Sequence, residues 1–246
     1  GGYQVSTVGL WLGAFAYMMQ IYFDFSGYSD MAIGIAKILG FNLQINFDHP
    51  YTAVSIQGFW RRWHISLSQW FRDYVYIPLG GSRVSPFRHV LNLLCVWCFT
   101  GIWHGANWTF VLWGLFYFIL LVFEKYGGKV AKFFNKGVCG HLYTLFFVNI
   151  LWVFFRSASV ENAFRYIGGM FGYTSCGLPI ESRLLRFVPL LILGVLLCMP
   201  VTKIVDRWRG KNWYKLVEAA VLACMLILSL GAMVNEQYSP FIYGGF

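Results

Sequence analysis

The sequence predicts an all-α, polytopic membrane protein, and three observations carry that expectation. Only 12% of the 246 residues are charged, about half of the roughly 25% that a hydrated globular surface usually carries. Hydrophobic residues make up 58% of the chain, with a mean hydropathy of +0.58. These residues gather into segments that approach the ~20 apolar positions a spanning helix needs. A soluble dehydrogenase, a secreted disulfide scaffold and a disordered linker are all excluded by this composition.

Val8–Phe23 is the first candidate span. The polar stretch Asp24–Asp30 follows and reads as a turn with Asp30 as N-cap of a helix over Met31–Leu39. Alternatively, the Asp24 and Asp30 carboxylates pair with Arg61, Arg62 or Arg72, or bind a cation. Asp48–Pro78 does not resemble a span. It interleaves Asp48, His49, Arg61, Arg62, His64, Arg72 and Asp73 with Trp60, Trp63, Trp70, Phe71 and Tyr74. Helical spacing puts His64, Ser68 and Arg72 in one column and Trp63, Leu67, Trp70 and Tyr74 in the neighbouring stripe. That pattern predicts an interfacial amphipathic helix with aromatic anchors and a basic face.

Val90–Phe123 is long enough for two passes, but Gly101-Ile-Trp-His-Gly-Ala-Asn-Trp108 interrupts it. Irregular backbone at that depth survives only against protein or a water-filled cavity. Leu142–Phe155, Leu184–Val201 and Leu216–Val234 are the remaining candidate spans.

Charge sets an expected orientation. Lys125, Lys129, Lys132 and Lys136 lie in the loop Glu124–Lys136, and Lys203, Arg207, Arg209, Lys211 and Lys215 in Lys203–Lys215. Two spans separate these loops, so both face one side, which the positive-inside rule makes cytoplasmic. Arg156–Arg186 then falls outside, although its four arginines weaken the contrast, and so does the tail Asn235–Phe246. The net charge of +9 therefore reflects membrane topology, and no nucleic-acid partner is expected. The six cysteines lie mostly in apolar runs and read as small buried hydrophobes, with no metal site expected.

Two histidines are the candidate chemical groups. His64 titrates near neutral pH and suits proton abstraction from a hydroxyl; the plainer alternative is a solvated histidine at headgroup level. His104, at the Gly-flanked break Gly101–Trp108, is an ionisable group within an apolar run, where such residues usually face a cavity or a partner. Its alternative is a core histidine bonded to a carbonyl. Ser68, one turn from His64, lacks a third, orienting group and is a poor nucleophile candidate. No Gly-x-Ser-x-Gly elbow, phosphate-binding Walker loop, His-Glu-x-x-His helix or His-x4-Asp box is present.

These residues carry a resemblance. Tyr22–Gly34, Phe59–Ser68, Phe71–Gly81, Gly101–Trp108 and Ser239–Tyr243 together resemble the bacterial membrane-bound O-acyltransferase (MBOAT) family, in the family's order and over nearly the whole chain. They are most similar to its alginate-acetylating branch. The branch serving teichoic acids departs from Trp-Arg-Arg-Trp-His and Ile-Pro-Leu-Gly-Gly.

The resemblance implies a multi-pass fold with re-entrant and horizontal helices around a funnel, in the bacterial inner (cytoplasmic) membrane. Residues 1–246 would be the carboxy-terminal portion of one membrane domain whose amino-terminal spans have no counterpart here. His104 and His64 match the family's two histidines, with Asp24, Asp30, Arg61, Arg62, Trp63, Ser68, Arg72, Asp73, Trp103 and Asn107 as supporting residues. No cofactor is implied; an acyl thioester, acetyl-CoA or a carrier-bound acyl group, serves as cosubstrate. The expected partners are the bilayer and an extracytoplasmic polysaccharide or an acetyl-transferring protein. D-alanyl or longer-chain acyl transfer is the alternative within enzymes. A transporter or flippase using His64 and His104 as a proton relay is the alternative outside them.

Overall fold

A computed structural model gives the fold and describes residues 6–172, 187–201, 205 and 208–235. Among the described residues every regular element is helical. The chain forms two compact units, Gly1–Cys198 and Met199–Phe246.

In the first unit, α1 (Thr7–Ile38) starts where the Ser6 side chain accepts the Gly9 N–H at 3.1 Å. It then runs for 32 residues, about 48 Å at 1.5 Å per residue. The expected turn at Asp24–Asp30 does not form. A helix already nucleated propagates through polar residues at little cost, so Asp30 is an exposed mid-helix residue and not an N-cap. It makes no ion pair with an arginine either: the salt bridges among the described residues are Arg72–Asp73 and Arg165–Glu161.

Asp48–Pro78 is helical in pieces rather than as one amphipathic rod. A 3₁₀ turn (Pro50–Thr52) leads to α2 (Ile56–Trp60) and α3 (Ile65–Phe71), the latter continuing into a π-helical turn at Arg72–Tyr76. His64 joins α2 and α3 in the left-handed conformation, φ 45° and ψ 56°. That reversal breaks the helical phase, so the expected stripe is not one face. Trp63 is 2% exposed, whereas Trp70 and Tyr74 are 51% and 70% exposed.

The expected double pass is a pair of helices, α4 (Pro86–Trp103) and α5 (Trp108–Tyr126), broken at 104–107, of which α5 but not α4 is apolar enough over its length to cross a membrane. Ser85 caps α4 with Pro86 at its first position, and Asn107 caps α5 by accepting from Thr109 N at 3.0 Å. The two helices cross closely at Gly101 and Gly114. A Cβ on Gly114 would meet the Trp97 carbonyl oxygen at 2.5 Å, and one on Gly101 would meet the Phe110 carbonyl oxygen at 2.7 Å. Small residues at such a crossing let backbones approach in apolar surroundings.

Three further helices, α6 (Gly128–Phe134), α7 (Gly137–Arg156) and α8 (Val160–Met170), complete the hairpin's surroundings, and α9 (Val188–Cys198) packs against α1. In the second unit, α10 (Asn212–Asn235) contains the candidate span Leu216–Val234.

Among the described helices, α5, α7 and Asn212–Gly231 of α10 are long and apolar enough to cross a membrane. Together with the helical fold they make this an all-α, polytopic membrane protein. The first part of Leu184–Val201, Lys203, Arg207, Cys176, Arg183, Arg186, Glu236 and Ser239–Tyr243 lie outside the described residues. Of the described cysteines, Cys198 is buried and Cys95 and Cys98 are half-buried. Cys139 and Cys224 are exposed, which corrects the expectation of general burial.

Candidate active site

An aromatic block anchors the site. Trp63 stacks on Phe59 (centroids 5.5 Å apart, planes at 20°) and meets Trp152 of α7 at 5.0 Å and Phe47 at 4.9 Å. Such ring pairs contribute about 0.5–1.5 kcal/mol each beyond the area they bury. Because Trp63 immediately precedes His64, its burial fixes where the imidazole emerges. The start of α2 is held as well. The Glu124 carboxylate of α5 accepts from Ile56 N at 2.6 Å and Gln57 N at 2.9 Å, and Ser55 Oγ accepts from Gly58 N at 2.9 Å.

The two histidines converge on Trp103. The His64 ring lies 6.1 Å from the Trp103 ring and meets Phe25 of α1 edge-on at 4.7 Å. His104, the residue that ends α4, lies 4.9 Å from Trp103 on the other side. His104 is 8% exposed and its ring meets Trp113 and Phe155, both at 5.1 Å. Its ring nitrogens have no hydrogen-bond partner among the described residues, so the expected alternative, a histidine tied to a carbonyl, does not describe it. Burial lowers the His64 pKa to about 4, which keeps its imidazole neutral and basic at neutral pH.

The supporting residues separate into distinct roles. Trp103 bridges the pair, and Trp63 is the buried anchor. Asn107 ties the break down twice, capping α5 and donating from Nδ2 to the Ala158 carbonyl at 2.9 Å. Asp24 lies on α1 beside Phe25, the residue that touches His64.

Others stand away from the imidazoles. Arg62 donates to Thr52 Oγ1 at 2.7 Å, bracing the 3₁₀ turn, and Arg61 is exposed at the end of α2. Arg72 and Asp73 pair with each other on an exposed surface, 2.8 Å apart. Ser68 donates to the Trp60 carbonyl at 3.3 Å, a backbone bond with no nucleophile geometry. Among the described residues no three His, Cys, Asp or Glu side chains group as metal ligands would.

Sequence reasoning passed over Asn46. Its Oδ1 lies 3.2 Å from His64 Nδ1 and accepts from Ser66 N at 3.1 Å and Ser66 Oγ at 3.0 Å. It stands 18 residues before His64, in an irregular stretch outside any helix. The available signal was the alternation Asn42, Gln44, Asn46 between apolar residues, which does not single out the third amide.

A helical membrane protein that sets two histidines about one tryptophan beside a helix break defines the class. The chain belongs to the membrane-bound O-acyltransferase family, whose model matches residues 3–162. It is 35% identical to a probable alginate O-acetylase of Pseudomonas putida, over 97% of this chain and 53% of that protein. It is 45% identical to a peptidoglycan O-acetyltransferase of Helicobacter pylori, over 73% of this chain and 34% of the relative. A teichoic acid D-alanyltransferase of Streptococcus thermophilus is 31% identical, over 55% of this chain and 34% of its own length. The chain thus spans about half the length of the first of these relatives and a third of the other two.

Proposed function

We propose that this chain is the histidine-bearing part of a membrane O-acyltransferase that moves acetyl groups from a cytoplasmic thioester, acetyl-CoA or an acyl carrier, to hydroxyls of an extracytoplasmic cell-envelope polysaccharide. The acetyl group passes there directly or through a partner protein. The protein sits in the bacterial inner membrane with Glu124–Lys136 facing the cytoplasm. The convergence of His64 and His104 on Trp103 is the observation that carries this reading, because acyl transfer needs two polar functions at one reacting centre. One imidazole takes the hydroxyl proton as the oxygen attacks the thioester carbonyl. The other donates a hydrogen bond to the developing oxyanion. The C–O bond forms, the C–S bond breaks, and the proton leaves with the thiolate, so one ester and one thiol replace one hydroxyl and one thioester.

Acetyl is favoured over D-alanyl by the relatives: those named as O-acetylating enzymes are 35% and 45% identical, the D-alanyl one 31%. The test uses His64→Ala and His104→Ala in the full-length protein, with acetylation of the envelope polymer measured beside membrane insertion. Loss of a general base typically costs ~10²–10⁴-fold. Residues acting in one transition state do not add, so the double variant should be little worse than the more damaging single one. Normal acetylation by either well-inserted single variant overturns the paired mechanism. Substrate flux lost in both, with no acyl product even in the unmodified protein, would favour a transporter.

A further inference from the structure

We propose that Asn46 is the positioning residue of His64: its Oδ1 takes the Nδ1–H of the imidazole and so leaves Nε2 as the basic nitrogen presented to the reacting hydroxyl. The inference rests on the acyl-transfer reading only for what Nε2 does, not for how the ring is held.

The amide orientation follows from the backbone. Ser66 N–H is a donor and nothing else, and the Asn46 atom it meets at 3.1 Å must therefore be the oxygen. Asn46 Nδ2 then donates to Ser29 Oγ at 3.1 Å, and Ser29 is itself buried on α1. A flipped amide would set Nδ2 against the Ser66 N–H, donor against donor. With Oδ1 in place, an oxygen that only accepts faces His64 Nδ1 at 3.2 Å, which requires the hydrogen on Nδ1. Nε2 is left with its lone pair. Ser66 Oγ, 3.0 Å from the same oxygen and 3.5 Å from Nδ1, braces the amide without competing for Nε2.

The backbone supports the same role. Ile65 N donates to the Asn46 carbonyl at 3.0 Å, so main chain and side chain of Asn46 hold both the left-handed residue's ring and the backbone that follows it. The Phe25 ring at 4.7 Å and the Trp103 ring at 6.1 Å flank the imidazole as well. A neutral amide orients the imidazole without lending it negative charge, and burial keeps the base neutral down to about pH 4. His104, beyond Trp103, is the titratable group facing this arrangement from the end of α4. A hydroxyl approaching the bridge therefore meets a fixed lone pair, and its proton passes to Nε2 while Nδ1–H stays with Asn46.

The test follows His64 directly and through activity, in the full-length protein in proteoliposomes. Diethylpyrocarbonate, which acylates an imidazole only at an unprotonated nitrogen, is applied from pH 4 to 8 and the adduct on His64 is quantified by peptide mass spectrometry. Acetyl transfer from acetyl-CoA is followed over the same range. In the unmodified protein both profiles should keep their acid limb well below the usual imidazole value. Asn46→Asp keeps the acceptor but adds charge beside the ring, and should raise both limbs by about one unit or more. Asn46→Leu removes the acceptor and should cut transfer at pH 7 at least tenfold, with the protein still inserted in the membrane.

Limbs left in place by Asn46→Asp would mean that position 46 does not face the His64 ring, and that result overturns the inference. Full transfer by Asn46→Leu overturns it equally. Should the unmodified protein transfer no acetyl group, the functional reading fails, while the carbethoxylation profiles still decide whether Asn46 governs His64.

Discussion

Replacing His64 by Gly and by Ala should separate its chemistry from its backbone. The residue sits at φ 45° and ψ 56°, close to the left-handed ideal. A residue with a Cβ pays about 1–2 kcal/mol there. Glycine pays none of this but adds roughly 0.4–1 kcal/mol of unfolded-chain entropy. Both variants lose the same contact with Asn46, worth about 0.5–1.5 kcal/mol, and neither orphans the amide, because Ser66 N and Oγ still reach its oxygen. At the centre of these ranges the difference leaves His64→Gly more stable than His64→Ala by about 0.8 kcal/mol. On a chain of this size that is about 2 °C in the unfolding midpoint. Thermal unfolding of the purified protein, with acetyl transfer measured on the same preparation, reads both quantities. Transfer should fall ~10²–10⁴-fold in each variant. An alanine variant as stable as the glycine one would refute the strained-link argument. A glycine variant that still transfers would refute the base.

Two other expectations concern scaffold and orientation. Gly114→Ala should destabilise the protein by about 1–3 kcal/mol, as overpacking does, because its new Cβ meets the Trp97 carbonyl oxygen at 2.5 Å and backbone cannot yield as a side chain can. Thermal unfolding checks it, and an unshifted midpoint would show that α4 and α5 can separate freely. Cys139, exposed at the start of α7, follows the basic segment Glu124–Lys136. As the sole cysteine in intact cells it should react with an impermeant maleimide only after permeabilisation. Labelling from outside would reverse the proposed orientation.

The sequence made the helical membrane class, the α4–α5 hairpin and its break at His104 legible, because each depends on local composition: long apolar runs and the Gly-flanked interruption Gly101–Trp108. The same local logic misjudged Asp30. A cap residue and a mid-helix residue look alike when a neighbouring segment decides whether the helix has already started, and here Ser6 had started it. The amphipathic stripe through Trp63, Leu67, Trp70 and Tyr74 misled for a related reason. Periodicity assumes unbroken phase, and one left-handed histidine resets it.

The histidine pair was visible as two candidate groups, but their convergence on Trp103 comes from tertiary packing that no spacing encodes. His64 emerges from an α2–α3 link pinned by Trp63 against α7, and His104 from the end of a helix held against α5 by two facing glycines. Asn46 was illegible for a further reason: its meaning resides in hydrogen-bond direction. The Ser66 backbone N–H fixes the amide, the amide fixes the imidazole tautomer, and the tautomer decides which nitrogen keeps its lone pair. A residue type alone carries none of that chain. The left-handed backbone at His64 is therefore not an isolated cost. It turns the imidazole off both helical faces and toward Asn46, where a single neutral acceptor can set its proton.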